Sequence, residues 1–357
     1  MKKKLPGSNR DSKQFCLHYV IEPGYSPGFF LSSMKDFFPN IHPTVKGIVL
    51  AFLATLGMAN VYVFSKAALL EVNYYQFQFY WFGFAMVWIL PYLYATGIIK
   101  KISFLSKGSF ITLAIIGILE LGAASMLFLA IKLAENPTTI SFLSNLTPIF
   151  VTLLGIRFLG ERFNFVEAVG IILTIGGVIL ITYTRDTTIA EFFGAGSGWI
   201  LVSSVFSSIS IITAKSRIKD IHPGILTLNR VVFLFVVAVS AMIIRQESFV
   251  ISGRAALNMV LGSLMGPFLT GLAQYSALQF IEASRTMIIQ STRSLLVLVG
   301  SMIYLSILPE LLQLIGGLIT IVGVIVMTWG KMHQNRQASR KEKRQGAHPA
   351  PASNKLN

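Results

Sequence analysis

Between residues 47 and 330 the chain is a succession of apolar stretches, each about twenty residues long. A helix needs roughly twenty apolar residues to cross the hydrocarbon core of a bilayer. Only helices and closed β-barrels can cross it, because lipid offers the backbone no hydrogen-bond partner. The sequence lacks the alternating ten-residue segments that are typical of barrel strands. The pattern therefore predicts an all-α integral membrane protein.

The apolar stretches divide into ten candidate spans. They are residues 47–70, 74–96, 109–131, 137–159, 164–184, 197–216, 223–244, 256–281, 286–307 and 311–330. The segment from Ala130 to Ile181 aligns in fixed order with the segment that begins at Ala277, which indicates internal duplication. With five spans in each half, the first helices of the two halves run in opposite directions. We therefore expect ten transmembrane helices arranged as two inverted five-helix repeats, an architecture found in many secondary transporters.

Charge is scarce overall and concentrated at the two ends of the chain. Charged residues make up 13% of the chain, against about 25% in soluble domains, although the net charge is +15. The basic residues that flank the outermost spans are Lys2, Lys3, Lys4, Arg10, Lys13, Lys35 and Lys46, and Lys331, Arg336, Arg340, Lys341, Lys343 and Arg344. Such flanks mark cytoplasmic segments and meet anionic lipid headgroups. We expect a multi-pass protein of the cell (plasma or inner) membrane with both termini cytoplasmic.

Five segments follow from these patterns. Residues 1–46 form a cytoplasmic N-terminal segment with a short interfacial helix near Phe30, Met34 and Phe38, and residues 47–184 form the first repeat. Residues 185–196 are a linker, residues 197–330 are the second repeat, and residues 331–357 are a basic tail expected to be disordered. The expected partners are membrane lipid and a small-molecule substrate. A homodimer is left open, and no nucleic acid is expected.

No arrangement in the sequence points to catalysis. The histidines are scattered without metal-ligand spacing, and neither a Ser/His/Asp arrangement nor a pair of carboxylates falls at membrane depth. We therefore predict that the protein is not an enzyme and uses no metal or other cofactor.

Two ionisable residues fall well inside predicted spans. Glu120 lies mid-span and Arg293 about a third of the way into span nine. Each costs at least about 2.5 kcal/mol at the bilayer centre. Either they form a structural ion pair, or Glu120 is packed as a neutral glutamic acid, or one or both line a central watery cavity. Arg293 belongs to a polar stripe with Gln290, Ser294, Ser301 and Tyr304, and Asn145 lies on a similar stripe in span four, where Pro148 frees a backbone carbonyl.

Each repeat also places one lysine at the far end of its first helix, Lys66 in the first and Lys215 in the second. These lysines either snorkel to the headgroups or face inward as gates. Arg230 is interpreted as an interfacial anchor. The candidate cavity-lining or substrate-binding residues are Tyr62, Lys66, Glu120, Asn145, Ser208, Lys215, Gln274, Gln290, Arg293 and Ser294.

The run from Asn136 to Gly155, the Phe158-Leu-Gly-Glu-Arg162 segment and the glycines from Gly170 to Gly177 resemble the EamA repeat of the drug/metabolite transporter superfamily. The resemblance covers residues 48–183 and, more weakly, 197–330. It implies ten helices in inverted repeats around a central cavity. The second repeat keeps Gln290-Ser-Thr-Arg293 but lacks counterparts of Pro148 and of Gly160-Glu161, so Glu161 with Arg162 is interpreted as a cytoplasmic loop clamp.

The resemblance implies a secondary transporter, an exporter or exchanger of a small organic metabolite that is anionic or amino-acid-like and moves by alternating access. The alternatives are a nucleotide-sugar or sugar-phosphate type antiporter, whose family relatives use basic residues on helix nine for phosphate, and a non-transporting membrane sensor or scaffold. If transport is coupled to protons, Glu120 is the predicted protonation site, because it is the only carboxylate near the middle of a span.

Overall fold

A computed structural model describes residues 42–134, 137–182, 196–305 and 311–346, which are helical and contain no strand. The helices of the first repeat are α1 (Pro43–Leu69), α2 (Tyr74–Ala95), α3 (Lys107–Leu133), α4 (Pro137–Leu143), α5 (Leu146–Leu154) and α6 (Phe165–Thr182). Those of the second are α7 (Ser197–Ser216), α8 (Pro223–Arg245), α9 (Gly253–Ser263), α10 (Gly271–Phe280), α11 (Ala283–Ser291), α12 (Arg293–Leu305) and α13 (Leu311–Gly346). A 3-10 segment (Ile98–Phe104) follows α2, and π-helical segments follow α5 (Gly155–Leu159) and α9 (Leu264–Thr270).

Many of these helices have the length and apolar composition of membrane spans. Among the described residues, six helical stretches pass on both counts: α1, α3, α7 and α8, the stretch that joins α9 to α10, and the stretch that joins α11 to α12. Helix α2 with its 3-10 segment, bent by 82°, makes a seventh. Three shorter apolar helices cover Leu146–Leu159, Phe165–Gly177 and Leu314–Met327. The predicted all-α membrane fold is confirmed at this level, and the count of ten spans stays a prediction.

The fourth and ninth predicted spans are each interrupted. Helix α4 ends at Leu143 and α5 begins at Leu146, while α11 and α12 are separated by Thr292. Pro148 explains the first break in part, because a proline cannot donate to the carbonyl four residues earlier, which is that of Ser144. That carbonyl instead accepts from the backbone nitrogen of Thr147 at 3.0 Å, and its second acceptor site is available to a side chain.

The helices of one repeat pack mainly against helices of the other. Helix α1 packs against α9 and α10, α2 against α8, α3 against α7, and α6 against α13, while α4 and α5 contact α12 and α11. The repeats therefore share one core.

The first helices of the two repeats run in opposite directions. A side chain at Gly47, near the start of α1, would touch Ile281, and Lys215 near the end of α7 bonds the carbonyl of Ile281. Asn164 bonds the carbonyl of Gly330, so the turn before α6 lies level with Gly330 of α13.

At the C-terminus, α13 continues to Gly346. Helical backbone thus continues through residues 331–346, and the disordered tail stays a prediction. The predicted interfacial helix near Phe30 and nearly all of the linker at 185–196 lie outside the described residues.

Glycines allow α6 and α13 to approach closely. A Cβ atom added at Gly170 would lie 2.4 Å from the backbone nitrogen of Met327, and one at Gly323 would lie 2.4 Å from that of Thr174. Small residues at such contacts are how helices associate in a membrane, where dispersion contacts replace the hydrophobic effect. The glycine runs of the two repeats thus meet each other across the repeat boundary.

Two adjacent glycines in α6 test this contact. A Cβ at Gly177 would lie 2.5 Å from Thr320 Oγ1 and 2.6 Å from the carbonyl oxygen of Gly316, whereas a Cβ at Gly176 would meet nothing within 4 Å. We expect Gly177→Ala to destabilise the protein by about 1–3 kcal/mol through overpacking, and Gly176→Ala to cause no loss. Thermal unfolding of the two variants in detergent is the measurement. Equal unfolding temperatures for both would contradict the close contact.

Candidate functional site

A cavity of about 60 Å³ lies among helices of both repeats. A buried water needs roughly 10–15 Å³, so the space holds a few waters and would have to widen to hold a metabolite. Its charged and larger polar lining residues are Tyr62, Glu120, Arg230, Gln274, Gln290 and Arg293. Serines of α7 complete a polar wall, among them Ser203, Ser204 and Ser207.

Glu120 is held by three side chains from three helices. Its Oε1 accepts hydrogen bonds from Ser210 Oγ at 2.7 Å and from Tyr275 OH at 3.2 Å, and its Oε2 lies 3.1 Å from Arg230 Nε. The side chain of Glu120 is only 4% exposed, so the carboxylate relies on these groups in place of water. The ion pair belongs to the wall of the cavity.

The partner of Glu120 corrects two interpretations of the sequence. Arg230 is not an interfacial anchor, since its side chain reaches the cavity, and the ion pair alternative for Glu120 and Arg293 is wrong, because Arg230 takes that place. A signal was present in the sequence. Pro223 marks the start of α8, so Arg230 falls about two turns inside that helix.

Arg293 lies at the break between α11 and α12 and bonds only neutral groups. Its Nη2 donates to the carbonyl oxygen of Ser144 at 2.9 Å and to the hydroxyl of Ser144 at 2.6 Å, and its Nη1 lies 3.4 Å from the carbonyl oxygen of Gln290. The Ser144 carbonyl is the one that Pro148 leaves without its helical bond. Among the residues that the structure describes, no carboxylate neutralises this guanidinium.

The polar stripe of span nine faces the protein interior, as its spacing predicted. Gln290, Arg293, Ser294 and Ser301 are buried. Tyr304 is the exception, since it is about half exposed and bonds Asn258.

The two broken spans are tied together beside the cavity. Asn145 Nδ2 donates to Ser294 Oγ, which in turn donates to the carbonyl oxygen of Ser141 at 3.2 Å. Tyr62 reaches the same place, because its hydroxyl donates to Ser144 Oγ at 2.9 Å. Tyr62, Gln274 and Gln290 line the cavity with Glu120 and Arg293, while Asn145 and Ser294 lie behind the lining.

Lys66 and Lys215 do not line the cavity, and neither snorkels to the headgroups. Lys66 Nζ bonds the carbonyl oxygens of Ile131 and Ala134 at the end of α3, and Lys215 Nζ bonds those of Leu278 and Ile281 at the end of α10. A cation there satisfies carbonyls that have no partner within the helix and complements the helix dipole. Each lysine therefore braces the first and third spans of its own repeat. Ser208 is buried and bonds the carbonyl oxygen of Ser204 within α7.

The predicted clamp at Glu161 is present and joins the two repeats. Its Oε1 accepts from the backbone nitrogen of Ala283 at 2.8 Å, and its Oε2 accepts from the nitrogen of Ser284 at 3.2 Å and from the Ser284 hydroxyl. A carboxylate at this place caps the N-terminus of α11.

A buried arginine lies beside this clamp. Arg285 pairs with Glu167 at 2.8 Å and with Glu282 at 2.5 Å, and it donates to the carbonyl oxygen of Arg162. Arg285 is not among the predicted site residues, and it lies just before the predicted start of span nine. Its spacing from Glu282, three residues on a helix, was the available signal.

The profile of the EamA-like transporter family matches residues 45–183 and 194–329, which covers most of the chain as two successive repeats. The chain belongs to the EamA-like transporter family. It is therefore a membrane transporter by family. The resemblance to the EamA repeat, seen in the residues around Pro148 and Gly160, is confirmed.

Similar proteins agree with that assignment. The chain is 24% identical over 137 residues to the uncharacterized transporter sll1164 of Synechocystis sp. (strain ATCC 27184 / PCC 6803 / Kazusa), a match that covers 37% of this chain and 39% of that protein. It is 22% identical over 324 residues to the WAT1-related protein At3g28100 of Arabidopsis thaliana, covering 80% and 90%. A chain known from a crystal structure shares the fold with a TM-score of 0.65 and 16% identity, over 80% of this chain and 97% of that one.

The ion pair between Glu120 and Arg230 makes a stability prediction. Arg230→Gln should destabilise the protein by about 3–5 kcal/mol, since it leaves a buried carboxylate without its cation. Adding Glu120→Gln should recover most of that loss, because two neutral amides carry no buried charge. Thermal unfolding in detergent is the measurement.

The matched comparison uses the other cavity arginine. Glu120→Gln should give no such recovery in an Arg293→Gln background, since Arg293 does not contact Glu120. Equal recovery in both backgrounds would contradict the assignment of Arg230 as the partner.

Proposed function

We propose that this EamA-family protein is a secondary transporter that exports or exchanges a small organic anion by alternating access. The observation that carries the proposal is Arg293, a permanent cation that lines the central cavity and bonds only neutral atoms of Ser144 and Gln290. A guanidinium suits carboxylate and phosphate oxygens because its planar fork can donate two parallel hydrogen bonds.

The charges of the cavity favour an anion over a zwitterion. Glu120 and Arg230 neutralise each other, so Arg293 leaves the lining with one net positive charge. The ammonium group of an amino acid would find no unpaired carboxylate among the described lining residues. An organic acid or a phosphorylated metabolite would instead supply the charge that Arg293 lacks.

The proposed topology has ten spans in two inverted repeats with both termini in the cytoplasm. The short helix pairs α4 with α5 and α11 with α12 count as one broken span each, and α6 and the apolar part of α13 complete the set. Support comes from the opposite directions of α1 and α7 and from the Lys and Arg residues outside the first and last spans.

In this topology the Glu161 clamp closes the cytoplasmic side. Glu161 belongs to the first repeat and caps α11 of the second, so a path to the cytoplasm between the repeats requires these bonds to break. The corresponding place in the second repeat carries Leu308 in the sequence.

Substitution of Arg293 tests the proposed function. In proteoliposomes loaded with a panel of organic acids and phosphorylated metabolites, we expect counterflow of at least one labelled anion. Arg293→Lys should reduce that flux roughly tenfold or more, because an ammonium cannot reproduce the paired donors. Tyr304→Phe is a matched control, since Tyr304 lies on the same helix outside the cavity. Anion flux at the wild-type rate in Arg293→Gln would refute the proposal.

Cysteine labelling tests the orientation. Val250 is 83% exposed in the turn between α8 and α9, and Lys219 is exposed in the turn between α7 and α8. After Cys16 is replaced, Val250→Cys should react with an impermeant maleimide in intact cells, and Lys219→Cys should react only after the membrane is opened. The opposite pattern would reverse the proposed orientation.

A further inference from the structure

The pairing of Arg230 with Glu120 is incomplete on the arginine side. Nε of Arg230 lies 3.1 Å from the carboxylate without making a hydrogen bond, and among the described residues no acceptor bonds either of the η nitrogens. The side chain of Arg230 is 17% exposed and lines the same cavity as Arg293. Arg230 therefore presents free donors to the space where a solute would bind.

We infer that Arg230 is a second anion-binding residue, that Glu120 holds it while no substrate is bound, and that the site takes a divalent organic anion together with one proton. The class of ligand is a dicarboxylate or a phosphate monoester. This inference rests on the proposed function, because it assigns the substrate class of the same cavity. One end of the anion binds Arg293 and the other binds the η nitrogens of Arg230.

The charge balance links the proton to the second negative charge. With Glu120 ionised, the lining carries one net positive charge and matches a monoanion. When Glu120 takes up a proton from water, two guanidinium charges remain and match a dianion. A dianion bound beside an ionised Glu120 would leave a net negative charge in a desolvated site, which is costly.

The surroundings of Glu120 can accommodate this protonation once Arg230 turns from the carboxyl group toward the anion. Ser210 and Tyr275 both donate to Oε1, and Arg230 contacts Oε2. A proton added to Oε2 forms the O–H bond at the oxygen that Arg230 vacates. Oε1 then remains the carbonyl oxygen and keeps both hydroxyl donors. The neutral acid therefore keeps Ser210 and Tyr275 as neighbours, while Arg230 is released to the anion.

The other ionisable groups near Glu120 are few. Helix α1 contributes Tyr62, α8 contributes Arg230, α10 contributes Tyr275 and α12 contributes Arg293, while α7 presents only serine hydroxyls to the cavity. Neither α2 nor the α4–α5 pair adds a charged residue to the described lining. Glu120 is the one carboxylate in the described lining, so among the protein's groups a proton linked to anion binding belongs to it, and succinate is the divalent probe that carries no phosphate proton.

The test compares lactate, succinate and glycerol 3-phosphate as probes of the purified full chain at pH 6.5 and pH 8. Affinities are taken from ligand-induced thermal stabilisation and checked by flux of labelled probe in proteoliposomes. One linked proton predicts that the apparent Kd for a divalent probe falls up to tenfold for each unit that the pH is lowered. The Kd for lactate should stay constant.

Variants separate this inference from a general effect of pH. Glu120→Gln should remove the pH dependence and hold the divalent probe at the tighter affinity. Glu247→Gln, which removes a carboxylate outside the cavity, should leave the pH dependence unchanged. Arg230→Gln should lower the preference for succinate over lactate tenfold or more. Arg230→Gln alone is expected to be unstable, so the double variant Glu120→Gln/Arg230→Gln serves as its control. The double variant is expected to be stable and to show the same loss of preference.

The failures are distinguishable. Equal pH dependence for lactate and succinate, or a pH dependence that survives Glu120→Gln, overturns the inference and leaves the proposed function standing. No stabilisation by any of the three probes, or binding that is unaffected by Arg293→Gln, overturns both.

Discussion

The hydrocarbon interior of a bilayer offers polar groups no partners, so the protein must supply a partner for every one that it buries. The described helices meet this constraint at their ends and breaks. Lys66 and Lys215 bond the last carbonyls of α3 and α10, and Glu161 bonds the first N–H groups of α11. At the break before α5, Arg293 bonds the Ser144 carbonyl, which receives no hydrogen bond from Pro148. The irregular backbone and the buried charges thus stabilise each other.

Satisfaction of hydrogen bonds and neutralisation of charge are separate requirements, and the cavity meets neither in full, because Nε of Arg230, Nε of Arg293 and Nε2 of Gln290 lack hydrogen-bond partners among the described residues. Arg293 has hydrogen-bond acceptors but no counter-charge among the described residues, and Arg230 shares Glu120 through a single nitrogen. Such an arrangement costs stability, since a guanidinium beside neutral dipoles is less favourable than one in water. It holds both cations in fixed positions around a space that can accept a negatively charged molecule. Preorganised charge of this kind reduces the reorganisation that binding requires.

Much of the fold follows from local pattern, and much of the site does not. Apolar stretches of span length predicted the all-α membrane fold, and the three- and four-residue steps of Gln290, Arg293 and Ser294 predicted the buried face of α11 and α12. The partner of Glu120 could not be read in this way, because it depends on α3 packing beside α7 and α8. The lysines were misinterpreted for the same reason. Their place near a helix end was visible in the sequence, whereas the neighbouring helix end was not.

The packing of each repeat against the other has a consequence for biogenesis. Helices α1 to α6 leave the ribosome first, and their main packing partners, α7 to α13, do not yet exist. Glu120 therefore enters the membrane before Arg230 has been synthesised, and Glu161 does so before the start of α11. During that interval the nascent first half holds an unpaired acidic group and glycine surfaces with nothing against them. Completion of the second half supplies the partners of the acidic groups and of the glycine surfaces. Assembly of the core is therefore expected to be a late event that joins the two halves in one step.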